Sequence, residues 1–255
     1  VVGDEVRLRP STGRVLTWLG IFSVAFGYIE AAVAHYLRMW LYPDGFNDSI
    51  ALVSDPHTVA IEAGRELCTL VVIVGTVALT PGPTVRRVAN FVYAFAIWDL
   101  TYYAALWLFE GWPTSLYDWD LLFVIPVPWF APVLAPITIS GIGIIGACSV
   151  HLILRYRTKL TVPRYGFALL NGALVAWEIS FMLHDGPIDR FPVRYRWWLF
   201  LLGVTLASAG YLLTWHRNLA CCDRRSSWFP RWSARSQLRV LLRRAVSRWT
   251  DRPYG

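Results

Sequence analysis

Six stretches of the chain are apolar over the length a helix needs to cross a bilayer. A hydrocarbon core of roughly 30 Å takes about 20 apolar residues in a helix. The stretches run over 15–40, 58–80, 88–110, 130–154, 166–184 and 196–216. Polar or helix-breaking residues bound them. Arg14 precedes the first. Pro81-Gly82-Pro83 ends the second, and Arg86-Arg87 opens the third. The run Arg155 to Lys159 closes the fourth, Asp185-Gly186-Pro187 the fifth, and His216-Arg217 the sixth. The pattern predicts an all-α fold: a polytopic membrane helix bundle of about six transmembrane helices over residues 1–216. The first stretch contains Ala32-Val33-Ala34, which looks like a signal-peptidase site, but it is longer than a signal sequence's apolar core and reads as a span.

Residues 217–255 read as a separate basic tail. Leu238, Leu241, Leu242, Ala245, Val246 and Trp249 follow helical spacing, and Arg239, Arg243, Arg244 and Arg248 take the opposite face. This is the pattern of an amphipathic interfacial helix with its apolar side in lipid and its arginines at anionic headgroups.

Composition agrees with the spans. Of the 255 residues, 56% are hydrophobic and 16% charged, and there are 14 Trp. Soluble domains carry about 25% charged residues. A disordered chain, a disulfide scaffold and an ordinary soluble enzyme are excluded. With both termini cytoplasmic, 19 of the 24 Lys and Arg fall on the cytoplasmic side, against Asp4, Glu5, Asp223 and Asp251 among the 17 acids. The positive-inside rule therefore orients the chain with both ends in the cytoplasm, and the expected location is the inner (plasma) membrane. The net charge of +7 sits at helix ends and in the tail. Its expected partner is the anionic inner leaflet rather than nucleic acid. Four cysteines show no CxxC spacing and give no metal or redox argument.

The informative positions are charges where charges are expensive. Glu30, Glu62, Arg65, Glu66, Asp99 and Glu178 lie inside spans, and His35, Glu110 and His184 nearer the outer ends. An acid at mid-helix costs roughly 2.5–3.5 kcal/mol. Five such acids facing lipid would cost about 12–17 kcal/mol, as much as a domain's whole stability. They must therefore face inward and be neutralised. Glu62, Arg65, Glu66 and Thr69 share one helix face, as do Asp99, Tyr102 and Tyr103. The expected site gathers Glu30, Glu62, Glu66 and Asp99 in the outer half of the bundle. Arg65 is the counter-charge, Tyr102 and Tyr103 are donors, and Arg38 is a second available cation. Asp118, Asp120, His35, Glu178 and His184 form the rim.

Three readings of this cluster stand side by side. It is a structural polar network, a metal site (Mg, Ca or Mn on oxygen ligands; Zn, Fe or Cu if histidines join), or a path for exchangeable protons. The Glu-x-x-His pairs of di-iron bundles and the HExxH motif are absent. The leading expectation is cation binding, with a divalent metal ion or protons as occupant. The alternatives are an accessory or scaffold subunit of a larger membrane complex, and a membrane enzyme acting on a lipid or apolar substrate.

Residues 111–136 carry five prolines, and 121–136 is otherwise wholly apolar. Prolines so placed forbid a continuous helix. The segment, with its outer loop over 111–129, is expected to lie re-entrant over the helix ends with Trp112, Trp119 and Trp129 at headgroup level. Gly143 with Ala147 and Gly203 with Ala207 mark close-packing faces.

The stretch Phe95-Ala96-Ile97-Trp98-Asp99-Leu100-Thr101-Tyr102-Tyr103 is followed by Gly111-Trp112-Pro113-Thr114-Ser115-Leu116, Trp119-Asp120 and Ile125-Pro126-Val127-Pro128-Trp129. Together with Tyr28 to Ala32 and Glu62 to Glu66, it resembles an uncharacterised family of bacterial multi-span membrane proteins. The resemblance covers about residues 20–136. It implies a membrane bundle and transfers no catalytic role.

Overall fold

The structure, a computed structural model, describes residues 11–42, 55–156, 159–187 and 189–225. It is mostly helical (75%), with six helices among the described residues. These are α1 (Thr12–Leu41), α2 (Pro56–Ala78), α3 (Thr84–Glu110), α4 (Leu134–Tyr156), α5 (Arg164–Met182) and α6 (Trp197–Arg225). Each lies on one of the apolar stretches, because apolar periodicity and the Pro and Gly stops set helix limits locally. Ser11 caps α1, and Asp55 caps α2 ahead of Pro56. Hydrogen bonds from Thr58, side chain first and then amide, hold the Asp55 carboxyl below the usual carboxylate range. Gly111, at φ +70°, ends α3 in the left-handed conformation that glycine adopts without a Cβ penalty.

Five of the six helices are long and apolar enough to cross a membrane. The exception is α2, where Glu62, Arg65 and Glu66 fall within its 23 residues. The count of spans supported by length and composition is thus five rather than six. The outward faces carry exposed Trp18, Ile21, Val24, Val72, Leu108 and Leu201. In water, so much apolar surface would be an association hazard. These features are compatible with an integral membrane protein of several passes. The chain divides into two compact units, residues 1–214 and 215–255. The described part of the second is the helical end of α6. The interfacial-helix residues Arg239, Arg243, Arg244, Arg248 and Trp249 lie outside the described residues.

The all-α expectation needs one correction. The proline-rich loop folds into an antiparallel hairpin of β1 (Trp119–Phe123) and β2 (Trp129–Pro132). Trp119 pairs with Pro132, Asp120 with Ala131 and Leu121 with Phe130, with an irregularity between Leu121 and Phe123. Prolines rule out a helix but not a short ladder with proline at its turn and ends. The ladder satisfies backbone groups that an apolar surround would leave unpaired. Val124, Phe130, Ala131 and Val133 are buried, so the hairpin is part of the core. The tryptophans also pack on protein: Trp112 against Arg38 and Tyr103, Trp119 against Phe191 and Tyr195, Trp129 against Phe181.

Helices meet where side chains are smallest. α1 packs on α3, and a Cβ on Gly27 would stand 2.5 Å from the Trp98 carbonyl oxygen. A Cβ on Gly203 of α6 would stand 2.4 Å from the Trp177 indole of α5. Gly143 of α4 faces Val92 of α3. The expected small-residue faces at 143 and 203 are therefore real contacts. Gly27→Ala is expected to destabilise by about 1–3 kcal/mol, since backbone cannot move aside as a side chain can. Thermal melts in detergent would check this against Gly64→Ala, where nothing lies within 4 Å of the added methyl. An equal effect at both positions would refute the packing account.

Candidate functional site

Two cavities lie where the hairpin meets the helices. The first, of about 110 Å³, is bordered by Arg38, Glu62, Arg65, Glu66, Tyr102 and Asp120. α1 and α2 supply its charges at helical spacing, and β1 supplies Asp120. Arg65 reaches in two directions. Its Nη1 donates to Glu30 of α1, and its Nη2 and Nε donate to Glu62, the latter at 2.9 Å. Thr69 Oγ1 donates to the other Glu30 oxygen at 2.6 Å. Glu30 is 6% exposed and could not remain there as a lone anion.

Arg38 forms the second hub. Its Nη1 donates to Glu110 at 2.5 Å and its Nη2 to Asp120 at 3.4 Å, and its guanidinium stands 3.8 Å over the Trp112 ring. Asp120 also accepts from the Tyr103 hydroxyl at 2.9 Å, and His35 Nδ1 lies 2.9 Å from Glu110. The planar guanidinium suits this work, since it presents several donors in a fixed fork and a face that stacks on indole. Glu66, 5% exposed, is held differently. Both its oxygens lie 2.9 Å from the Val124 amide nitrogen, which donates to it. A carboxylate on α2 thus anchors the hairpin backbone.

Five carboxylates, Glu30, Glu62, Glu66, Glu110 and Asp120, surround two guanidiniums. Each arginine is shared between two acids rather than paired with one. That sharing is why one cation on each of two helices can hold so much negative charge in a low-dielectric interior.

The second cavity, of about 410 Å³, lies on the other side of a wall formed by Tyr102, Asp120, Leu122 and Phe123, which border both. It is largely aromatic, with Phe95, Trp129, Trp177 and Phe181 around Asp99. Ser140 Oγ donates to Asp99 at 2.8 Å. Glu178 also borders this cavity, and no hydrogen bond or ion pair engages its carboxylate among the described residues. Among the described residues, no Lys, Arg or His lines it. The indole N–H of Trp129 is buried here without an acceptor.

The expected single cluster is therefore divided. Glu30, Glu62, Glu66 and Arg65 come together as the spacing implies, while Asp99 faces the neighbouring cavity. Tyr102 stands between the two, and Tyr103 serves Asp120 rather than Asp99. Asp120 is a buried centre instead of a rim residue. Asp118 is a loop-former, accepting from the amides of Thr114 and Ser115 and from the Thr114 hydroxyl. His184 faces the Gly186 and Arg190 carbonyls and shapes the loop before α6. Among the described residues, no group of three or more His, Cys, Asp or Glu is arranged to hold a metal ion. The Glu110–Arg38–Asp120 hub is the main feature that spacing does not predict, because its members lie far apart in sequence. No protein-family model, curated protein or solved structure matches the chain.

Proposed function

We propose that this chain is a multi-pass inner-membrane protein that binds an organic cation with an apolar body in the Asp99 cavity. The carrying observation is a 410 Å³ aromatic chamber bordered by Asp99, Glu178 and the Arg38-paired Asp120 and, among the described residues, by no basic one. Ligand cavities of roughly 300–1,000 Å³ with apolar walls and a few polar groups are the usual form of small-molecule sites. Aromatic faces attract ammonium groups, and more strongly where water is excluded. The carboxylates supply the charge, the indoles and phenyl rings supply the faces, and Ser140 fixes Asp99. A metal ion is the poorer occupant, since the walls offer mostly carbon.

A second reading concerns the smaller chamber. Three carboxylates border it, Glu62, Glu66 and Asp120, and Glu30 and Glu110 share its two guanidiniums; this surplus of acid supports a store of exchangeable protons beside the ligand cavity, with Tyr102 and Asp120 in the shared wall. In the proposed topology both termini face the cytoplasm, on the distribution of arginines.

Benzyltrimethylammonium and its neutral tert-butyl isostere, titrated calorimetrically into the full chain in nanodiscs, test the leading reading. The cation is expected to bind at least about tenfold more tightly than the isostere. Asp99→Asn should remove about tenfold of that affinity, and Glu178→Gln should remove less, because that carboxylate is exposed. Glu62→Gln, in the other chamber, should leave binding unchanged. Equal affinity for the two ligands, or indifference to Asp99→Asn, would overturn the reading.

A further inference from the structure

The other end of α1 carries features of the opposite chemical sense. We propose that a phosphate group, carried on an anionic phospholipid or free, binds where the first turn of α1 meets the last turns of α4. The site shares no residue with the cation cavity and does not depend on that reading. A cavity of about 530 Å³ lies there, bordered by Ser11 to Gly13 and by His151 and Arg155. His151 is 8% exposed, and neither ring nitrogen has a hydrogen-bond partner. A buried imidazole beside a cavity, with both nitrogens unused, calls for a ligand or water as partner.

The surrounding groups decide which ligand. Ser11 uses its hydroxyl for the Arg14 amide and its carbonyl for the Val15 amide, which leaves the Thr12 and Gly13 amides without acceptors among the described residues. First-turn amides without acceptors among the described residues, at the positive end of a 30-residue helix, favour an anion. Arg155 lies one turn beyond His151 and borders the same cavity. Arg86 is near enough for its charge to act on His151, and its own Nε is buried without a partner. Among the described residues, no carboxylate borders the cavity. Amide, imidazole and guanidinium donors bordering one cavity, with no carboxylate among the described residues, fit a group bearing several acceptor oxygens around one negative centre, which is the chemistry of a phosphate. The neighbouring Leu152 is exposed and apolar, as an acyl chain would require.

Two arms distinguish the sources. In the first, the full chain is purified in mild detergent with phosphatidylglycerol and then phosphatidylcholine, and retained lipid per chain is counted by native mass spectrometry. In the second, lipid-free protein is melted with inorganic phosphate against chloride at equal ionic strength. Wild type is expected to retain phosphatidylglycerol at least about fivefold over the His151→Leu/Arg155→Gln double variant. Phosphate stabilisation lost in the same variant would assign free phosphate instead. Should the double variant fail to fold, Arg155→Gln beside the charge-keeping Arg155→Lys carries the comparison, with only the latter retaining ligand. Retention and melting that ignore all these substitutions would overturn the proposal.

Discussion

Replacing Arg38 with glutamine is expected to destabilise the protein by about 3–5 kcal/mol, the cost of leaving a buried charge without its partner. The substitution removes the shared cation of Glu110 and Asp120 and its stack on Trp112. Asp120 is 5% exposed, so water cannot replace the guanidinium. Tyr103 would remain as a donor to Asp120, but one neutral hydroxyl does not offset an anion. Because Asp120 sits on β1, the hairpin should loosen before the helices part. Thermal unfolding in detergent, followed by Trp fluorescence, measures the loss. Adding Asp120→Asn to Arg38→Gln should recover much of it, since the unpaired charge is then gone. A double variant no more stable than Arg38→Gln would show that charge is not the cause.

Arg65→Gln is expected to cost somewhat less, about 2–3 kcal/mol. The Arg65 side chain is 30% exposed, so its attraction to Glu30 and Glu62 is partly screened. Glu30 suffers most. It is buried on α1 and keeps only the Thr69 hydroxyl. Glu30→Gln placed on the Arg65→Gln background should restore stability, while Glu62→Gln on the same background should restore less. The reverse order would mean that the α1–α2 bridge is not what holds Arg65. Arg38→Gln and Arg65→Gln also bear on the proton-store reading, since each removes a cation and leaves its acids for protons to neutralise.

Several parts of the site are legible in the residue pattern. Glu62, Arg65, Glu66 and Thr69 lie on one face because three- and four-residue spacing in a helix dictates it. The glycines at 143 and 203 sit at helix contacts because a side chain there would run into Val92 and the Trp177 indole. Other parts have no local signal. The Val124 amide engages Glu66 from 58 positions away, and a backbone amide looks the same in every sequence. Arg38 meets Asp120 across 82 positions. The hairpin is hidden because prolines and apolar residues in that loop satisfy a re-entrant coil as well as a ladder.

The chain by itself determined where the six helices lie, though β2 takes the start of the expected fourth stretch and α6 runs on to Arg225; it also determined which faces are apolar and that most charges inside those helices turn inward, Glu178 being exposed instead. Those outcomes depend on neighbouring residues and on the cost of charge in hydrocarbon, both of which are written locally. Tertiary structure alone decided which acid meets which arginine, why Asp99 stands apart from Glu30, Glu62 and Glu66, and how the proline-rich loop closes over them. These depend on the rotation and depth at which each helix docks. That docking is set by many small contacts summed over the whole bundle, and no single segment encodes it.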